Sequence, residues 1–254
     1  EVIWIDHHAQ TEQVSSPRLT VINPLLEEMP PWPTSYWAYQ VVKREVWLAM
    51  VGIAYDWMYM KEMSLLLSKE YPNLTDLKIK DPAKQKFETP IGKLSTIIQF
   101  NMKGTAQDAM QSIKILTRVE SPYEILEQSS ARGRFIHRRF DKLNAQYQKI
   151  LQSLEVSSDQ LYVYVLQPDL AIASELANEV MYNHPTKELV VAKPYLERYF
   201  CSVRGGSRDI RIPMLAAIEG LDASGGGHDK SCGLNIKQED FEEFLKRFRK
   251  ELYG

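Results

Sequence analysis

The sequence predicts an α/β protein in two parts, a truncated parallel-sheet domain carrying a helical insert and a smaller α/β domain behind a short linker. Three observations carry that expectation. Near the start, the apolar run "VIWI" leads straight into an acid and two adjacent histidines, Asp6, His7 and His8. The middle of the chain is patterned almost entirely as helix. From about Leu161, strand-like and helix-like segments alternate at the short spacing of a compact α/β unit. The polar, turn-rich stretch "EVSSDQ" at Glu155 to Gln160 separates the textures, so the expected division is 1–154, a linker at 155–160, and 161–254.

Taken in order, "VIWI" reads as a buried central strand. A parallel strand needs neighbours on both sides, and nothing resembling a cap or turn precedes this one, so further strands are expected upstream. "LTVINP" is a second short strand, broken by Pro24, and "LLEEMPPWPTS" is irregular because proline lacks an amide donor and restricts its predecessor. Thr34 or Ser35 is placed to cap one long helix, "YWAYQVVKREVWLAMVGIAYDWMYM", whose centre is apolar nearly all round. Short helices are expected within Lys61 to Pro90, then "IGKLSTIIQFNMK", "AQDAMQSIKILTRV" and "PYEILEQ", and a long amphipathic helix from about Gly133 to Leu154. In the second domain "LYVYVLQ", "KELVVAKPYL", "RYFCSVRGG" and "CGLNI" read as strands. "ASELANEVMYNH", "IPMLAAIEGL" and the segment Gln238 to Leu252 read as helices.

Composition narrows the function. With 31 Lys and Arg against 33 Asp and Glu the formal net charge is -2, so no global basic field points to bulk nucleic-acid binding. Two cysteines, Cys201 and Cys232, make no disulfide framework and fit a reducing cytoplasm. The longest apolar run, Val46 to Tyr55, is far shorter than the ~20 residues that span a bilayer, so no membrane partner is expected.

Two constellations carry chemistry. The first is Asp6, His7 and His8 at a strand's carboxyl end, the usual ligand position in an open α/β sheet, with Asp56 as complement. Asp56 is the single acid between Val46 and Met60, and a carboxylate in apolar surroundings is costly to ionise without a cation. Side chains alternate along an extended chain, so His7 and His8 are expected on different faces. The bland alternatives are a capping Asp6, two solvated histidines, and an Asp56 bonded to an amide or arginine. The second constellation is "DASGGGHDKSCG". Ser224, Gly225, Gly226, Gly227 and His228 read as a loop whose amides form an anion nest, with Lys230 near and Arg204 beside Gly205 and Gly206. Arginine's planar fork suits phosphate. A plain flexible turn and a surface arginine are the competing readings.

"VIWIDHH", Asp56 in "VGIAYDW", "CSVRGG" and "SGGGHDKSCG" stand in the order and spacing of the DHH phosphoesterase superfamily, and the chain resembles that family along its whole length. Its size is more similar to the oligoribonuclease and pAp-phosphatase branch than to the larger RecJ exonucleases, and the helical insert resembles archaeal-type members. The resemblance implies a DHH domain followed by a DHH-associated domain, and hydrolysis of short oligonucleotides or nucleotides with two Mn or Mg ions. His7 and Asp56 would be metal ligands, Asp6 and His8 catalytic groups, and Arg204 with Ser224 to His228 the substrate contacts. A RecJ-like single-strand exonuclease and a non-catalytic nucleotide-binding scaffold are the alternatives. The family's Asp-x-Asp motif does not occur in these 254 residues, so they are expected to hold half a catalytic centre, to hydrolyse little unaided, and to need an N-terminal segment or partner chain. A homodimer is left open.

Overall fold

The computed structural model describes residues 1–8, 15–154 and 160–254. It divides into two compact units, Glu1–Lys142 and Leu143–Gly254. The division falls inside the long helix α8 (Ala131–Ser153). Of the linker expected at 155–160, residues 155–159 lie outside the described residues.

In the first unit, strands β1 (Val2–Ile5) and β2 (Leu19–Ile22) pair in parallel, from Val2 opposite Leu19 to Ile5 opposite Ile22. The ladder runs one residue further, where the Asp6 amide donates to the Ile22 carbonyl at 3.1 Å. The expected burial of β1 is not found among the described residues: Val2 is 59% exposed and Ile3 68%, because β2 is the strand's sole partner there.

The single long helix expected after Pro33 is two helices, α1 (Thr34–Val42) and α2 (Val46–Tyr55), broken where Lys43 and Glu45 take left-handed backbone angles. The break lets α1 fold back on α2. The Ser35 hydroxyl donates to the Ala49 carbonyl at 3.0 Å, and a Cβ on Gly52 would come within 2.3 Å of Ser35 Oγ. Close approach of the helices is therefore what demands glycine at 52. Neither Thr34 nor Ser35 caps the helix; Pro33 occupies the cap position and both hydroxyls are used elsewhere.

Against α2 pack α3 (Lys61–Glu70), α4 (Pro82–Glu88) and α5 (Pro90–Asn101), and against α5 pack α6 (Ala106–Leu116) and α7 (Pro122–Leu126). Asp81, Thr89, Thr105 and Ser121 cap α4 to α7 with their side chains, as their position before each helical pattern dictates. Trp47, Met50 and Ile53 of α2 are fully buried, as are Ile91, Leu94 and Ile97 of α5. At roughly 1.5–3 kcal/mol per buried side chain, this pairing is a main support of the unit.

The second unit is a five-stranded sheet in the order β3-β4-β5-β7-β6. Strands β3 (Leu161–Val165) and β4 (Glu188–Tyr195) are parallel, joined through α9 (Ala173–Asn183). Strands β5 (Arg198–Gly205), β7 (Ser231–Lys237) and β6 (Ala223–His228) follow antiparallel. One face, with Val190, Ala192, Cys201, Val203, Cys232, Leu234 and Ile236, packs on α10 (Arg211–Ala217) and α11 (Phe241–Tyr253). Helix α11 buries Phe241, Phe244, Leu245, Phe248 and Leu252, a stripe at helical spacing. On the other face α9 covers β4 and β5, where Leu189 and Val191 are fully buried.

Candidate functional site

Strand β1 stops at Asp6 because that carboxylate folds the chain over itself. Asp6 Oδ1 accepts from the amides of His7 (2.8 Å) and His8 (3.2 Å) and from His8 Nδ1 (2.7 Å). These bonds favour the ionised carboxylate, and the His8 ring foremost holds Asp6 below the usual carboxylate range. An ionised carboxylate only accepts, so His8 Nδ1 carries a proton. Buried Asn23 secures the turn from below, donating from Nδ2 to the His8 carbonyl at 2.9 Å.

This fold-over corrects the expectation that the two histidines face apart. Their ring centroids lie 4.2 Å from one another at an interplanar angle of 30°. Alternation applies to extended backbone, and the chain has left the strand by Asp6. One ligand atom each from Asp6, His7 and His8 falls within 4.8 Å of the others.

Asp56 ends α2, its amide donating to the Gly52 carbonyl at 2.9 Å. Its Oδ2 stands 4.0 Å from His7 Nε2, which is too long for a strong hydrogen bond and suits two ligands flanking one ion. Burial raises the Asp56 carboxyl above its usual value, and the neighbouring His7 and His8 partly offset this. On its other side His7 Nδ1 meets Thr34 Oγ1 at 3.3 Å. Such a contact orients an imidazole so that Nε2 is presented to a cation. The residue after Asp56, Trp57, holds a left-handed φ of 55° that a bulky side chain seldom adopts, and its ring packs edge-on against Phe87 at 5.6 Å. The Met58 amide closes the helix end onto the Ile53 carbonyl at 3.1 Å, which fixes the backbone carrying Asp56.

Carboxylate and imidazole donors on a half-buried, charge-penalised acid fit a divalent cation such as Mn or Mg. His7 and Asp56 would hold it by Nε2 and Oδ2, with Asp6 and His8 beside them.

In the second unit the glycine run is not the expected loop. Ser224, Gly225, Gly226, Gly227 and His228 lie in β6, paired with β7 from Ala223 opposite Ile236 to His228 opposite Ser231. Extended backbone sends alternate amides away from β7 along an open strand edge, so they line up instead of converging on one point as a nest would. The glycines divide by role. A Cβ on Gly225 or Gly227 would come within 2.8 or 2.4 Å of backbone oxygens, so packing within the sheet excludes one there. At Gly226 and at Gly233 opposite it nothing lies within 4 Å, so this pair leaves a bare floor.

Arg204 shares the face of that floor, one rung along, opposite Ser231 and hence in line with His228. Its guanidinium is already engaged: Nε donates to Asn178 Oδ1 (2.7 Å), one terminal nitrogen to Ser174 Oγ (3.0 Å) and the other to the Val203 and Cys232 carbonyls (3.0 and 3.3 Å). Those bonds tie β5 to α9. Sequence patterning did not single out Asn23, Ser231 or Gly233, and it read Thr34 only as a helix cap. The one local sign was Asn23 ahead of Pro24, a typical turn opening.

No family model matches the chain, and no curated protein matches it. Solved structures do. RecJ from Thermus thermophilus with Mn2+ aligns over 100% of this chain at 17% identity and a TM-score of 0.61. The DHH domain of a member of a ribosomal protein family aligns over 82% at 15% and 0.53, and a pGpG-specific phosphodiesterase from Vibrio cholerae over 98% at 11% and 0.50. The chain spans 41%, 49% and 82% of those structures. The chain thus has the fold of the RecJ and DHH-domain structures.

Proposed function

We propose that the protein is a metal-dependent phosphoesterase acting on short oligonucleotides or nucleotides. The observation that carries this is the gathering of Asp6, His7 and His8 at the end of a parallel strand with Asp56 4.0 Å from His7, in a DHH fold. A divalent ion bound there would polarise a phosphoryl oxygen and lower the pKa of an attacking water. His7 and Asp56 supply ligand atoms. Asp6 holds the His8 ring with Nδ1 protonated, so that Nε2, once protonated, donates to a phosphate oxygen. The β6 floor with Ser224 to His228 receives the nucleotide, and Arg204 supports it by anchoring β5 to α9. Solved DHH proteins with Mn2+ or Mg2+ support the choice of cation.

The test is Mn2+-dependent hydrolysis of a 5′-labelled dinucleotide by the protein that contains these residues. His7→Ala and Asp56→Ala are each expected to lower turnover by about two orders of magnitude or more. Turnover indifferent to both substitutions overturns the metal assignment. Nucleotide binding with no metal-dependent turnover in the wild type overturns the catalytic reading in favour of a non-catalytic nucleotide-binding protein.

A further inference from the structure

On the sheet face opposite α10 and α11, α9 covers Leu189 and Val191 and holds Arg204, and beyond α9 that face continues past the glycine floor. Along β5 the residues on that face are Arg204, Ser202, Phe200 and Arg198, since Cys201 and Val203 between them belong to the core. Register carries each across the sheet: Arg204, Ser231 and His228 form one rung, Ser202, Gly233 and Gly226 the next, Phe200, Asn235 and Ser224 the third. Two strand residues separate successive rungs, so the floor sits about 7 Å from both neighbours and the outer rungs about 14 Å apart. Phe200 is 45% exposed, and its ring meets that of Tyr195, 58% exposed, edge-on at 6.1 Å. Lys193 stands opposite Phe200 on β4. Arg198 Nε fixes the Asn235 side-chain oxygen at 2.6 Å.

Two exposed aromatic rings in mutual contact, one rung along from the paired glycines, have no ring partner beyond each other within the described residues of the unit. Water-facing aromatics are a cost in a free protein and a benefit where a planar ring stacks on them. We infer that Phe200 and Tyr195 form a stacking subsite for a nucleobase adjoining the nucleotide on the glycine floor. The inference rests on the proposed nucleotide-binding reading and narrows it, from mononucleotides to single-stranded oligonucleotides of at least two units. Continuity with the floor along one register, the aromatic pair and the adjacent cation favour this occupant over a second protein.

The experiment is calorimetric titration of the full chain with adenosine monophosphate, the dinucleotide ApA, and an analogue of ApA that lacks the second base. Wild type is expected to bind ApA about tenfold tighter than either of the other ligands. Phe200→Ala is expected to erase that advantage while leaving adenosine monophosphate unchanged, and Phe200→Trp to keep it. Tyr195→Ala should give a smaller loss. Gly226→Val should weaken all three ligands, since its side chain fills the floor without touching any protein atom. If Gly226→Val lowers binding but the ratio of ApA to monophosphate survives Phe200→Ala, the stacking subsite is wrong and the nucleotide site stands. If no ligand binds, or Gly226→Val changes nothing, the nucleotide reading itself fails. Concentration-dependent self-association abolished by Phe200→Ala would assign the aromatic pair to an interface between copies and overturn the inference.

Discussion

At the scale of single residues, Arg204 separates a sequence pattern from what the fold does with it. Beside paired glycines it reads as a phosphate fork, yet its donors are already directed at Asn178, Ser174 and two carbonyls. Removing it orphans those acceptors. Arg204→Ala should therefore destabilise the second unit by about 2 kcal/mol, and Arg204→Lys should restore only part of it because an ammonium cannot match the fork. Thermal unfolding of the two variants checks this; an unchanged midpoint in Arg204→Ala would show that the bonds are not maintained in solution. Cys201 offers a simpler case. Burial pushes its thiol up to about 12, so it should resist alkylation in the native protein and react fully once unfolded. Mass spectrometry after iodoacetamide treatment reads the difference. Asp56, by contrast, was legible beforehand as the lone acid in an apolar run, since a charge there needs a partner whatever the fold. Thr34 was not: only the return of α1 toward β1 brings its hydroxyl to His7.

At the scale of elements, legibility followed the strength of periodicity. Helix α11 was evident from its stripe of Phe241, Phe244, Leu245, Phe248 and Leu252, and Phe248→Ala should cost about 3–5 kcal/mol by opening a cavity under a fully buried ring. Strand β6 was not evident. "ASGGGH" has no apolar alternation and low strand propensity, and only the register with β7 holds it extended. The α1–α2 break was equally hidden, because "KRE" is helix-compatible and the left-handed turn arises from packing α1 against α2. Capping divided: the expected Thr34 or Ser35 cap is absent, while Asp81, Thr89, Thr105 and Ser121 cap α4 to α7. At α6, Thr105 and Asp108 bond reciprocally, and Thr105 first, then Arg139, draws the Asp108 carboxyl down to about 2. A depressed folded-state pKa means that the cap's contribution is intact above the unfolded carboxyl's value of about 4. That contribution is lost as pH falls through about 2. Following the pH dependence of stability between those values, Asp108→Asn should flatten the slope in that window; an unaltered slope would remove Asp108 from the acid response.

On the scale of the whole molecule, the sequence changes texture at 155–160, whereas the two compact units divide within α8 at Lys142 and Leu143. A helix continuous in pattern gives no sequence sign of where its packing partners change. Among the described residues no helix is long and apolar enough to cross a membrane. The second unit has its own sheet, helices and core, so Leu143–Gly254 should fold cooperatively when expressed alone. The first unit holds the cluster on which the proposed chemistry depends.

That cluster is tested most directly by calorimetric titration of residues 1–254 with Mn2+ at neutral pH. Saturable binding is predicted, abolished by His7→Ala and by Asp56→Ala, and unaffected by His228→Ala in the second unit. Absence of binding in the wild type, or binding that survives both His7→Ala and Asp56→Ala, would contradict the assignment of Asp6, His7, His8 and Asp56 to a cation.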